Sequence, residues 1–521
     1  MLPGTLLVVL SVVIVGIKAN AGPSVCSTTG PLGMITGEIK DWQITASSAY
    51  PYEWDNKCRE KYARVYLGNE YGWCAKYKSS SEWLQVDLGV ASRVTGVMTQ
   101  GRADGNEWVT EFKVSYSMNA FNWYYVYDQY GNKKNFEGNV DSYTVKHSYL
   151  DEPIVARFIR FHVEKWNRHP SMRVEVIGCQ MCKEPLGLPP YGKITASSFR
   201  KGAKSCQPED GNILSHKGWC AKKKKDDQWL QIDIGPPTLV TGIITKGRGD
   251  SKREHFVKRF MVTYSNDSVL WYKYKDAHHL DPKIFGGNSD KHTERIHYLN
   301  SPFTARYVRF IPIEWNRKIA MRVGLVGCPF NGTCPAGFMR VNEDSPCVEN
   351  LAFNKRAVIS TSSRHMKRHI NAPVHPDRAF QAVDGRLQQS LSFCTILDNL
   401  YGDMFTIDFG RKQKVSGVLI YTWQGEGKDG VNAYKDYMNN LDKLLVYVDD
   451  SGGKEETNDP SSKPQLCAYT SRLNDALFKP VLHFPCMRSL EGSKVLVEAW
   501  NVENSFNKIF SAVLCEVQVY G

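Results

Sequence analysis

Residues 83–89 read WLQVDLG, and residues 229–235 read WLQIDIG. In the first, Leu84, Val86 and Leu88 alternate with Gln85 and Asp87, the period of a strand with one face in a core and the other in water. The second copy keeps that alternation. It also belongs to a longer repetition: ITASS stands at 44–48 and 194–198, GWCAK at 72–76 and 218–222, VTGVMTQGRAD at 94–104 and VTGIITKGRGD at 240–250. ARFIRFHVEKWNR at 156–168 returns as ARYVRFIPIEWNR at 305–317, and each copy closes on Gly-Cys, at Cys179 and Cys328. Two tandem copies of one domain, each about 150 residues long, follow from this self-similarity.

Short alternating segments separated by Gly, Asn and Asp turns predict an antiparallel sandwich or barrel, and helical periodicity is scarce. The chain starts MLPGTLLVVLSVVIVGIKANAG, apolar from Leu6 to Ile17, with Ala19-Asn20-Ala21 as an A-x-A cleavage site. Residues 1–21 therefore read as a signal peptide. The n-region has no Lys or Arg, so a buried apolar segment is the alternative. No later run is long enough to span a membrane. A secreted, extracellular protein is expected.

In that oxidising compartment the 14 cysteines read as disulfides. Cys26 and Cys179 bracket the first copy, and Cys182 and Cys328 the second, so bridges Cys26–Cys179 and Cys182–Cys328 would tie each domain's ends together. Cys58–Cys74 and Cys206–Cys220 would staple one loop in each copy, and Cys334–Cys347 would close the linker 329–348. Cys179-Gln180-Met181-Cys182 spells a C-x-x-C, yet the repeat boundary runs between its cysteines, which argues against a redox or zinc site.

Charge is unevenly shared. Residues 182–328 carry 26 Lys and Arg against 14 Asp and Glu, an excess of 12, whereas residues 26–179 carry 18 of each. A basic middle domain predicts an anionic partner such as lipid head groups or sulfated glycans; a face kept basic for solubility is the other reading.

Together ITASS, W-L-Q-[VI]-D-[LI]-G, V-T-G-x-x-T-x-G-R-x-D, A-R-[FY]-[IV]-R-F and the terminal Gly-Cys resemble the discoidin family, the C-type domains of coagulation factors V and VIII. The resemblance spans residues 26–179 and 182–328. It implies a jelly-roll β-sandwich whose loops, or spikes, project from one end and bind phospholipid, collagen, glycans or other proteins. None of the matching motifs is catalytic.

On this chain the first spike falls near 49–58, AYPYEWDNKC, offering Tyr50, Tyr52 and Trp54; the second, near 64–69, offers Tyr66 and Leu67. Aromatic rings with polar edges suit a membrane interface or a protein hot spot, unless they lie back on the barrel end. The second repeat replaces these with Arg200, Lys201 and Lys204, keeps Ile213 and Leu214, and adds the run Lys222, Lys223, Lys224 and Lys225. Point charges without interleaved aromatics favour phosphate or sulfate over nucleotide stacking, so nucleic acid is not an expected partner. Arg248-Gly249-Asp250 spells the tripeptide that many extracellular proteins present to integrins. Arg102 and Asp104 stand at the same places in the first repeat, so two of its three residues belong to the domain pattern, and only Gly249 in place of Ala103 completes it.

Residues 349–521 resemble a more distant version of the same sandwich. FTIDFG at 405–410 echoes WLQVDLG, and ENLAFNK, AFQAVDGR, FCTIL, LCAYT, FPC and LCEVQVYG resemble F-type lectins. That resemblance implies bridges Cys394–Cys467 and Cys486–Cys515. Its sugar site is altered: Ile396 stands where the family has histidine, and Trp423, Glu426 and Lys428 fall where arginines are expected, so fucose is not the expected ligand. Asp384 and Glu516 match the family's calcium ligands, while Gln381 and Arg386 replace better ones; calcium is the single cofactor entertained, in this domain alone. His365, His369 and His375 read as a solvated basic loop rather than a metal site. Asn266 and Asn331 head N-glycosylation sequons.

The expected fold is thus all-β, three tandem jelly-roll sandwiches linked by disulfides. H-E-x-x-H and G-x-S-x-G are both absent. A multivalent adhesion or matrix protein, binding anionic phospholipid, sulfated glycan, collagen or an integrin, is the leading reading; a soluble lectin of innate defence is the alternative.

Overall fold

The WLQVDLG segment opens a long strand, β1 (Trp83–Gln100), in the computed structural model of the chain. That structure describes residues 28–521 apart from 69, 103–105, 201–205, 226, 278, 331, 344, 361–375, 388–393, 399–402, 423–442, 451–463, 470–480 and 501–510. Beside β1 lie β2 (Trp108–Ser117), β3 (Lys146–Asn167) and β4 (Ser171–Gln180), in the antiparallel order β4–β1–β3–β2. The second repeat has the same order in β5 (Leu230–Lys246), β6 (Phe256–Ser265), β7 (Arg295–Asn316) and β8 (Ala320–Gly327). The third domain repeats it again with β9 (Met404–Thr422), β10 (Lys443–Asp449), β11 (Val481–Trp500) and β12 (Ser511–Tyr520).

The D-x-G at the end of the opening segment shows why these strands can be so long. Between Asp87 and Ser92 the register of β1 on β3 slips, and the strand bends. Asp87 Oδ1 accepts the backbone N–H of Gly89 at 2.8 Å, and Gly89 sits at φ +82°, which any side chain would strain. Arg157, from the A-R-F motif of β3, grips both carboxylate oxygens of Asp87 at 2.8 and 2.9 Å. Asp233, Gly235 and Arg306 build the same corner in the second repeat, and Asp408 with Gly410 repeats the Asp-to-Gly bond in the third domain. One short motif therefore turns the strand at the same point in all three sandwiches.

Each sandwich has its own core. Trp73 and Trp219, of the two GWCAK segments, are fully buried, and each indole N–H donates at 2.8 Å to the last carbonyl of an ITASS segment, of Ser48 and Ser198. A buried indole needs such a partner, which explains why the two motifs recur together.

The loop staples Cys58–Cys74, Cys206–Cys220 and Cys334–Cys347 form as expected. Cys179, Cys182 and Cys328 are disulfide-bonded as well, so the C-x-x-C holds no free thiol; Cys26 and the signal peptide lie outside the described residues. The third domain's bridges differ from those the F-type lectin resemblance implied. Cys394 bonds Cys515, and Cys467 bonds Cys486. Strand order is the reason: Thr395–Asp398 pairs with β12, which sets Cys394 beside Cys515, while Gln465–Tyr469, carrying Cys467, is at the other end of the strand order, beyond β10. A Cys394–Cys467 bridge would have to cross the whole sheet.

The described residues up to Glu184 form one compact unit and those from Pro185 onward another. Inside the latter the linker folds as a small hairpin, Phe338–Met339 against Val348–Glu349. Glu349 joins the second repeat's corner, 3.4 Å from Arg306 and 3.7 Å from Lys193, and the Arg306 guanidinium lies 5.0 Å over the Phe338 ring.

Candidate binding surface

The first spike of the first repeat begins just beyond the buried Trp73 bond. Tyr50 N–H donates to Cys74 O at 2.9 Å, and its ring, half-buried, meets Trp54 at 5.8 Å and His169 at 5.4 Å, both edge-on. Tyr50 is thus a buttress rather than a tip. Tyr52 and Trp54 project, Trp54 with 75 % of its surface exposed. Asp55 pairs with Arg102, and Lys57 with Glu70, so the three loops of this end are tied to one another. Burial opposes the Asp55 charge, but the Lys57 N–H and the Arg102 guanidinium outweigh it and hold the carboxyl below its ordinary range.

The second spike is organised from beneath by an arginine that sequence reasoning did not single out. Arg173, buried in β4, donates to the carbonyls of Gly101 at 2.7 Å, of Leu67, and of Ser142 at 3.5 Å. Arg322 does the same in the second repeat, to Gly247 at 2.7 Å, Ser215 at 2.7 Å and Lys291 at 3.0 Å. The M-R-V shared by both copies, an arginine inside an otherwise apolar strand, was the available signal. A buried guanidinium must find carbonyl partners, and here it finds them in three loops.

Those bonds also superpose the spikes residue for residue. Leu67 matches Ser215, so Tyr66 matches Leu214, and Val65 matches Ile213. Tyr66 is 62 % exposed and Leu214 71 %, whereas Ile213 is only 9 % exposed. Ile213 is therefore a core residue and not a tip: next to the bridge Asn212–Val323 its side chain turns inward against Gly324. Leu67 is half-buried. Among the described residues of these spikes, the exposed apolar tips are Tyr52, Trp54 and Tyr66 in the first repeat and Leu214 in the second.

Arg200 and Lys222, Lys223, Lys224 and Lys225 are all exposed. Lys201 and Lys204 lie outside the described residues. The Arg-Gly-Asp segment does not project as a free loop. Arg248 Nε lies 2.6 Å from Asp250 Oδ1, and Gly249 is packed so closely under the second spike that a β-carbon would stand 2.4 Å from His216 O. Gly249 is required by that approach. Asn266 is exposed at the turn after β6; Asn331 lies outside the described residues.

In the third domain Ile396 is half-buried, while His365, His369, His375, Trp423, Glu426 and Lys428 lie outside the described residues. Glu516 is fully buried; Oε2 accepts the Gly385 N–H at 3.2 Å, and Oε1 has no partner, nor has Gln381 Oε1. Burial pushes the Glu516 carboxyl up to about 9, the Gly385 N–H opposing and the Asp384 charge adding. Asp384 caps Arg386 N at 2.8 Å. No cluster of three His, Cys, Asp or Glu stands among the described residues. The unpartnered oxygens of Glu516 and Gln381 nevertheless fit a hard cation, which takes six to eight oxygens, and Glu516, Gln381 and Asp384 are the groups that would hold it. Such an ion would offset the charge that burial now disfavours.

The family model for the F5/8 type C domain matches residues 43–176 and 193–325. Lactadherin from Sus scrofa is 36 % identical over 316 residues, covering 57 % of this chain and 77 % of that protein. Lactadherin from Bos taurus is 37 % identical over 319 residues, 58 % of this chain and 74 % of that protein. Coagulation factor V from Pseudonaja textilis is 35 % identical over 315 residues, 57 % of this chain but 21 % of its own length. Among solved structures, a fucolectin from Morone saxatilis serum shares 17 % identity, covers 65 % of this chain and 98 % of its own, and has a TM-score of 0.25, too loose a likeness to bear on ligands.

Proposed function

The chain belongs to the F5/8 type C domain family, and from that premise we propose that it is a secreted adhesion protein that seats on cell membranes through the loop end of its first repeat. Domains of this type bind rather than catalyse. The observation that carries the reading is the exposure of Tyr52, Trp54 and Tyr66 on two loops that Lys57–Glu70 and Cys58–Cys74 hold together. Amphipathic rings held outward on a stiff base suit the headgroup level of a bilayer, where one end is apolar and the other wet. Leu214, at the position of Tyr66, gives the second repeat a smaller tip. Two modest insertions in one chain gain strength through effective concentration. No helix among the described residues is long and apolar enough to cross a membrane.

Sedimentation with phosphatidylserine-containing vesicles tests it. Trp54→Ala combined with Tyr66→Ser should lower vesicle affinity by roughly tenfold or more, about 1.5 kcal/mol per buried ring being the ordinary scale. Full retention by that variant would end the membrane reading. A soluble lectin remains the competing reading, and a glycan array separates the two.

A further inference from the structure

Four segments of the second repeat converge on the Cys206–Cys220 disulfide. Arg200 N–H donates to Cys220 O at 3.3 Å, and Ala221 N–H to Ile319 O at 3.2 Å, which sets the spike-one strand and the β7–β8 turn on either side of it. Arg248 Nη1 stands 3.5 Å from Cys220 Sγ, and Arg248 N–H donates to His255 O, bringing in the 248–255 loop. On this frame sit Arg200, Lys224, Arg253 and Lys318, and among the described residues none of these four forms an ion pair. Their mutual repulsion is felt: Arg200 first, then burial, then Lys224, Arg248 and Arg253 hold the Lys318 ammonium below its ordinary range.

The first repeat shows that the fold does not demand this. Tyr50 stands where Arg200 stands, His169 where Lys318 stands, and the two rings touch edge-on. Its loop-end arginine, Arg102, is paired with Asp55 and Glu107. The second repeat keeps its loop-end arginine paired, Arg248 with Asp250, but puts Arg200 and Lys318 where the first repeat has the touching rings of Tyr50 and His169, and its Phe199 packs against the core. Unpaired like charges at one place cost stability unless an anion joins them.

We propose that this end of the second repeat binds a sulfated polysaccharide chain. Long, flexible Lys and Arg side chains spread over four segments match a linear polymer whose sulfates are always ionised, and binding gains from the counterions that both partners release. A bilayer would also meet the positive charge, but it rewards apolar insertion, and Leu214 is the one exposed apolar tip that the described residues of this end provide.

The test is affinity of the full chain for immobilised heparin across a salt series, comparing the parent with Arg200→Gln/Lys318→Gln and with Lys222→Gln/Lys224→Gln. Each double variant should bind roughly tenfold more weakly near physiological salt and lose about one to two from the slope of log affinity against log salt. Unchanged affinity, or equal binding of chemically desulfated heparin, would overturn the proposal. So would a parallel fall in binding to phosphatidylserine vesicles, which would make the cluster a lipid-headgroup site. The Trp54→Ala/Tyr66→Ser protein should keep its heparin affinity, so a failure of the membrane reading and a failure of this one give different patterns.

Discussion

Arg248 and Asp250 are bound to each other, Nε to Oδ1 at 2.6 Å and Nη2 to Oδ2 at 3.0 Å, so the two charged ends of the Arg-Gly-Asp tripeptide are closed into a fork. An integrin ligand must offer that carboxylate to a receptor's metal, and here releasing it would break a bidentate pair. Asp250→Ala should therefore leave cation-dependent cell attachment unchanged. It should also strengthen heparin binding by about two- to fivefold, because Arg248 would add its charge to the cluster. Lost attachment would reinstate the tripeptide as a ligand.

Ile213 and Leu214 are neighbours with opposite fates. Leu214→Ser should leave the unfolding free energy from urea titration within about 0.5 kcal/mol of the parent's while weakening vesicle binding. Ile213→Ala should do the reverse, destabilising the second repeat by about 2 kcal/mol with little direct effect on vesicles. A larger loss of stability from Leu214→Ser than from Ile213→Ala would mean that the tip and the core position are exchanged.

The buried arginines beneath the loops give a third expectation. Arg322→Met removes the donors to Gly247, Ser215 and Lys291 at once. Buried carbonyls left without partners cost about 1 to 3 kcal/mol each, although relaxation and water soften the sum. Denaturant unfolding should show a loss of about 3 kcal/mol or more, and hydrogen exchange should quicken at residues 215–217 and 247–250. Protection at those amides equal to the parent's would remove Arg322 as the organiser of the loop end.

What could be read ahead of the structure was whatever repeats or alternates. The three-sandwich architecture follows from WLQVDLG and its echo FTIDFG, because a period of two is a local feature, whereas the Asp-to-Gly corner that bends each strand shows only in the structure. The loop staples Cys58–Cys74 and Cys206–Cys220 are local as well. Features set by non-local partners were not legible. Pairing Cys394 with Cys515 depends on which strand lies at which edge, a property of the whole sheet. Ile213 and Leu214 are one residue of parity apart, and the Asn212–Val323 bridge that sets which of them faces inward joins segments far apart in the chain. Tyr50 had the composition of an exposed ring, but His169, from the distant β3–β4 turn, supplies the surface it leans on.

The carboxyl of Glu516 makes the third domain's stability depend on pH in a direction opposite to the usual one for an acid. Folded, it is pushed up to about 9, chiefly by burial; unfolded, it titrates near 4.3. Between those values the native state keeps a proton that the unfolded chain has released, so stability is full below about 4.3 and declines as pH rises toward 9, by at most about 1.4 kcal/mol per unit. Calcium held by Glu516, Gln381 and Asp384 would take the proton's place, so calorimetry should find that calcium raises the third domain's melting temperature at pH 8 and much less at pH 5. Glu516→Gln should flatten the pH dependence and remove the calcium response together. A calcium shift that survives in Glu516→Gln would place the ion elsewhere, and a flat parent profile in calcium-free buffer would mean that this carboxyl is not held neutral in the fold.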